Sequence, residues 1–312
     1  MTTRAFTRRF GSAVMVLVAT VLPAACSSPD TTPTRYATTS APRTSKPASA
    51  TAGQPTTQAP AAASNTDGGE QAPLGDGLQA STAGLTFTPS TTTLAPDEAT
   101  AFSFRIVGPD GKAFTTFHPE QTQLMHLYLI RSDLSGFQHL HPTMANDGTW
   151  TASVGPLQPG AYRAYVAFVA VSSSGDTASL ILGDKVTVTG TGAAVGLPAP
   201  STTTQVDGYS LTMVGTPLTA GATGSVTFLV KKAGLLVTDL EPYMSSFGQL
   251  TAVHEGDLAL TYPLAQGDAK TGLGGPSLSF TAAPAKAGNW RMFIQFQTGG
   301  AVHTAAITVA IQ

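Results

Sequence analysis

Cysteine is almost missing from this chain. Cys26 is the only one in 312 residues, so no intrachain disulfide can form and burial must hold the fold. Charge is scarce and nearly balanced, 16 Lys and Arg against 18 Asp and Glu, a formal net of -2. That leaves no basic patch of the kind nucleic-acid binding needs. No long apolar run follows the N-terminal region, so no second membrane segment is expected. No stretch beyond residue 82 keeps a 3.6-residue period, which argues against helices. There is no Gly-x-Ser-x-Gly motif, no phosphate-cradling glycine loop and no cysteine nucleophile in the folded region. The chain is therefore expected not to be an enzyme.

What is present begins with a leader. "MTTRAFTRRF" carries Arg4, Arg8 and Arg9, and the apolar "AVMVLVATVLPAA" follows. A basic segment, a short apolar run and small residues before a cut site make an export signal. "LPAAC" followed by "SS" resembles a bacterial lipobox, in which Cys26 is lipidated and becomes the mature N-terminus; Pro23 departs from the usual pattern. A diacylated cysteine anchors a protein stably to a membrane surface. The expected location is the outer face of the cell membrane. Residues 27–81 form a Thr, Ser, Pro and Ala tract that buries too little to offset the entropy of ordering, and they read as a disordered stalk.

The rest of the chain repeats itself. "PLQPGAYRAYVAF" (156–168) matches "APAKAGNWRMFIQF" (283–296), pairing Gly160 with Gly288, Tyr162 with Trp290 and Phe168 with Phe296. "ATAFSFRIV" (99–107) matches "TGSVTFLVK" (223–231), and "FHPEQTQLMHL" (117–127) matches "LEPYMSSFGQL" (240–250). Each copy alternates apolar and polar residues in short runs, with Phe102, Phe104 and Ile106 on one face and Val226, Phe228 and Val230 on its counterpart. "GPDGK", "ANDGT" and "QPGAY" are turn signals between runs. This pattern means an all-β chain of two tandem antiparallel sandwiches, Ig-like or cupredoxin-like, at 82–190 and 201–312 with a linker at 191–200. Tyr162 and Trp290 are expected to pack between the sheets.

Of six histidines, three lie in "LMHLYLIRSDLSGFQHLHP" (124–142). If "HLYLI" and "FQHLH" form a hairpin around "RSDLSG", Tyr128 faces His139 and His126 faces His141. Side chains two apart on a strand share a face, and opposed residues have Cβ atoms about 5 Å apart. Three imidazoles then converge on one face, the other being the Leu127, Leu129 and Leu140 core face. Such a face is expected to be solvent-exposed or an interface. Imidazoles suit Cu(II) or Zn(II), and a thioether would favour Cu(I). Met125, Met144 and His118 are the candidates for a fourth ligand, and the two methionines lean the expectation to copper, with zinc second. The same pattern also fits a structural role, because His-x-His on a strand is common. The second copy holds Gln249 at the place of His126 and "DLALTYPLA" (257–265) at that of "DLSGFQHLHP", with no histidine. His254 and His303 stand alone there and read as surface residues.

"MHLYLIRSDLSGFQHLHPTMANDGTW" with "PGAYRAYVAF" resembles a group of secreted actinobacterial lipoproteins that pair a leader and low-complexity tract with two β-sandwich repeats. The resemblance covers most of residues 82–312 and implies a hint of heavy-metal handling. Members of that group keep a Gly-His pair and a His-x-His-Pro in the second repeat too. Gly248-Gln249 and "LTYPLA" depart from that, so only a first-copy site is implied. Two functions stay open. One is a cell-surface lipoprotein that buffers a metal or passes it to an envelope partner. The other is a non-enzymatic structural or interaction module whose hairpin face, with Tyr128, Phe137 and His139, docks a protein or glycan.

Overall fold

The computed structural model describes residues 72–267, 269 and 272–312; the leader, Cys26 and the stalk up to residue 71 lie outside the described residues. Among the described residues all regular structure is β, and no helix is long and apolar enough to cross a membrane. The two repeats form two sandwiches.

In the first, one sheet runs Ser81–Thr82, Leu85–Pro89, Thr100–Val107, Trp150–Val154, Thr143–Met144. The facing sheet runs Thr93–Leu94, Thr177–Val188, Gly160–Val171, His126–Arg131, Gln138–Leu140, with Phe117–His118 also pairing on Gly160–Val171. The expected alternation fills the space between them. Phe102, Phe104 and Ile106 meet Leu127, Leu129, Phe168 and Leu182, all fully or almost fully buried. Each such side chain contributes about 1.5–3 kcal/mol of transfer free energy. The second sandwich repeats the plan with Val226, Phe228 and Val230 against Leu250, Ile294 and Phe296. Tyr162 and Trp290 are core residues of their own sandwiches.

The repeat extends to backbone detail. Gln121 and Thr122 have positive φ before the first hairpin, and Met244 and Ser245 do so at the matching place. Gly160 (φ 146) and Gly288 (φ 118) sit where a Cβ would meet Arg131 Nε at 2.6 Å and His254 Nε2 at 3.1 Å. Arg131 pairs with Asp133, and His254 pairs with Asp257 in the same turn of the second copy. In the sequence His254 and His303 read as surface residues. Instead each is mostly covered and bonded to a carboxylate, Asp257 and Asp207 respectively.

The folded region also starts before residue 82. Leu74 N–H donates to Ser179 O at 2.8 Å, and Arg163 Nε donates to Gly77 O at 2.7 Å. Composition could not show this, because the tie is made by the sandwich's arginine and backbone.

A third apolar cluster joins the two sandwiches. Tyr128, Ile130, Tyr165 and Ile181 of the first pack with Val253, Leu260, Tyr262 and Phe293 of the second. Phe137 stacks on Phe293 with centroids 4.1 Å apart. In the opposite sense Tyr165, which matches Phe293, donates its hydroxyl to Leu258 O at 2.6 Å. Each hairpin therefore docks on the other sandwich's long strand. Tyr165→Phe is expected to cost about 1 kcal/mol, since it takes the donor from the half-buried Leu258 carbonyl; a urea midpoint shift at constant slope checks this.

Candidate metal centre

The hairpin has the register that convergence requires. Leu127 pairs with Leu140, Tyr128 with His139 and Leu129 with Gln138. Leu127, Leu129 and Leu140 point into the first core. His126, His139 and His141 share the opposite face, with ring centroids 4.8–5.2 Å apart. One ring nitrogen from each lies within 4.8 Å of the others. This face is the seam between the sandwiches, so the patch of Tyr128, Phe137 and His139 is already used within the chain.

The remaining candidates are elsewhere. Met125 is buried in the first core, on the leucine side of the strand, and Met144 packs against the same core. His118 is exposed on a short strand opposite Val169. The alternation of strand residues decides this: Met125 precedes His126, so it faces away. The methionine argument for copper therefore loses its basis, and three imidazoles remain.

Their hydrogen bonds have a proton deficit. His126 Nε2 faces Glu120 O at 3.3 Å, a carbonyl that can only accept. His139 Nδ1 faces Gln295 Oε1 at 2.7 Å, while Gln295 Nε2 donates to Thr304 Oγ1. Both outer contacts thus use the one N–H that a neutral imidazole has. The inner nitrogens, His126 Nδ1 and His139 Nε2, then face each other as lone pairs at 3.0 Å. His141 Nε2 is buried with no hydrogen-bond partner among the described residues. A cation between these three nitrogens would accept all three lone pairs.

A proton is a poor cation here. Burial pushes His126 down to about 4, with the nearby His141 adding to it against the pull of the Glu120 carbonyl. Burial also holds His139 well below the ordinary histidine range, helped by His126 and opposed by Gln295. His141 is lowered by burial as well. A metal ion binds neutral imidazole and needs no such protonation. Tetrahedral ligands at 2.0–2.1 Å from zinc lie about 3.4 Å from each other. The 3.0 Å pair would open slightly and the wider separations, up to 4.8 Å, would close.

A model of a domain of unknown function, DUF8832, matches residues 80–180 and again 204–312. The chain belongs to the DUF8832 family. The two matches are the two sandwiches, so this family's unit is the single sandwich and the chain carries it twice. No curated protein matches the sequence. Among solved structures, the DUF8832 chain is similar to FdeC, an Escherichia coli adhesin, at 14% identity over 76% of this chain and 65% of that one, with a TM-score of 0.22. It is similar to a Ca2+-stabilised ice-binding adhesin of an Antarctic bacterium at 15% identity, over 74% and 49% of the two chains, TM-score 0.23. The Ig1-2 module of the Drosophila receptor tyrosine phosphatase DLAR gives 8% identity, over 73% and 98%, TM-score 0.19. The DUF8832 chain spans less than two thirds of both adhesins. At these scores nothing about its function follows from them.

The residues that sequence reading missed are Glu120 and Gln295. Glu120 acts through its backbone carbonyl, which no side-chain pattern reveals. Gln295 lies in the other sandwich, and only docking brings it to His139.

Proposed function

We propose that this chain is a non-catalytic, membrane-anchored structural module of the cell envelope that holds one divalent transition ion at His126, His139 and His141. The anchor and location rest on the leader and on Cys26 with its lipobox-like surroundings. The metal rests on one geometry: His126 Nδ1 and His139 Nε2 lie 3.0 Å apart while the other nitrogen of each ring faces an acceptor, and His141 Nε2 beside them has no hydrogen-bond partner among the described residues. Imidazole ligands with no thiolate or thioether suit Cu(II) and Zn(II), with Cu(II) the tighter by the usual affinity order. The site is enclosed by the seam between two sandwiches, which favours holding an ion over rapid exchange.

The test is a competition titration of the full chain with Cu(II) and Zn(II) against a chromophoric chelator. One equivalent binds to the wild type, and His139→Ala/His141→Ala loses it by at least 100-fold. Equal, weak binding by both proteins leaves the histidines as packing residues. The chain would then be an envelope structural or interaction module without a metal.

A further inference from the structure

The metal reading concerns three side chains of the first sandwich. The second sandwich supplies something they lack. His126 has its tautomer set within its own domain, by the Glu120 carbonyl. His139 has no such partner in its own domain: its Nδ1 contact is Gln295 Oε1, on strand Gly288–Thr298 of the second sandwich. Gln295 is buried and its amide is oriented by Thr304 on the neighbouring strand, at 3.3 Å. Its register partner is Gln249, the residue that stands where the first copy has His126.

The repeat makes the placement informative. The residue of the first copy that matches Gln295 is Ala167, which sits across the sheet from His126. A methyl group there leaves the space beside His126 to the imidazoles. In the second copy the same place carries an amide aimed across the seam. The two copies have thus divided the work: the first presents ligands, and the second presents an acceptor to one of them.

We propose that Gln295 is the positioning residue of this metal centre, fixing His139 with Nδ1 protonated and Nε2 free for the ion, so that metal affinity depends on docking of the two sandwiches. This rests on the metal reading of the preceding section. An outer partner that fixes a ligating histidine's tautomer and raises its basicity is worth about 10–100-fold in metal affinity. By linkage, an ion that binds better to the docked form stabilises docking by the same factor.

The experiment compares wild type, Gln295→Leu and Gln295→Glu as full chains, loaded with Cu(II). Affinity is read by chelator competition and the site by electron paramagnetic resonance. Gln295→Leu binds about 10–100-fold more weakly, with altered copper hyperfine splitting. Gln295→Glu restores an acceptor, now an anionic one, and binds Cu(II) severalfold more tightly than wild type. A role confined to packing would shift the melting temperature of the metal-free variants and leave affinity and spectrum unchanged, which overturns the proposal. Wild type that binds no ion overturns the metal reading itself, and this inference with it. Wild type and Gln295→Leu binding equally well sink only the inference. Should Gln295→Leu fail to fold, Gln295→Glu carries the test alone: an anionic acceptor on His139 tightens Cu(II) severalfold, and an unchanged affinity and spectrum overturns the proposal.

Discussion

The metal-loaded chain is expected to melt well above the metal-free one, and His126→Gln is expected to abolish that difference with little change in the metal-free fold. At free ion 1,000-fold above Kd, binding to the native state alone is worth about 4 kcal/mol. For a folded body of this size that is about 8–16 °C in Tm, at about 2–4 °C per kcal/mol. The second sandwich says why glutamine is the right probe. Gln249 occupies the matching place and donates to Tyr243 O at 3.4 Å, the carbonyl that matches Glu120 O, and to Ser246 Oγ at 2.9 Å. The fold therefore needs an N–H donor at this place to cap the preceding tight turn. It does not need an imidazole. In His126→Gln the amide caps Glu120 O and donates to His139 Nε2, which removes the facing lone pairs. The metal-free variant is expected to melt within about 1 kcal/mol of metal-free wild type, on either side. Differential scanning calorimetry with Zn(II) and with a chelator reads both halves. A variant several kcal/mol less stable, beside a wild type indifferent to ions, would mean that His126 is there for packing.

The same comparison shows what was legible in the sequence. The hairpin, its register and the sharing of one face by His126, His139 and His141 follow from period-2 geometry between two strands close in sequence. The cores follow from alternation, as Phe102, Phe104 and Ile106 show. The environment of that histidine face did not follow. A face carrying His, Tyr and His reads as exposed or interfacial, and only the docked second sandwich decides between these. Met125 and His126 are neighbours in sequence, and sequence alone offers both as ligands. The strand sends one to the leucine core and the other to the seam. Gln295, His139's partner, is out of reach of any local pattern, because docking two domains joins positions far apart in the chain.

Removing Arg131 should cost about 1–3 kcal/mol, because it takes one donor from half-buried Asp133 and the donors of two carbonyls at once. Its guanidinium donates to Asp133 at 2.7 Å, to Ala193 O at 2.9 Å and to Pro159 O at 2.7 Å. Asp133 in turn accepts Val195 N–H at 2.8 Å and Ser135 N–H at 3.1 Å. The inter-sandwich linker is thus tied to the hairpin loop at Ala193 and Val195. Arg131→Met should lower the urea midpoint and open the linker to proteolysis near those residues. The acid dependence has a definite sign. Burial works to raise Asp133, but the Ser135 and Val195 donors and Arg131 outweigh it and hold the carboxyl below its ordinary 3.8. A depressed folded-state value means stability fully present above 3.8 and lost as pH falls through the lower folded value. Asp133→Asn should flatten that part of the acid limb, while Arg131→Met should narrow it from its lower end, its start near 3.8 staying in place. The matching turn keeps the carboxylate, Asp257, and changes its partner to His254. The carboxylate belongs to the turn itself, accepting the N–H two residues on in both copies. Arginine is what the first copy adds, and its extra donors reach the linker. An Arg131→His variant should then keep the turn, lose the linker ties, and fall between wild type and Arg131→Met in stability.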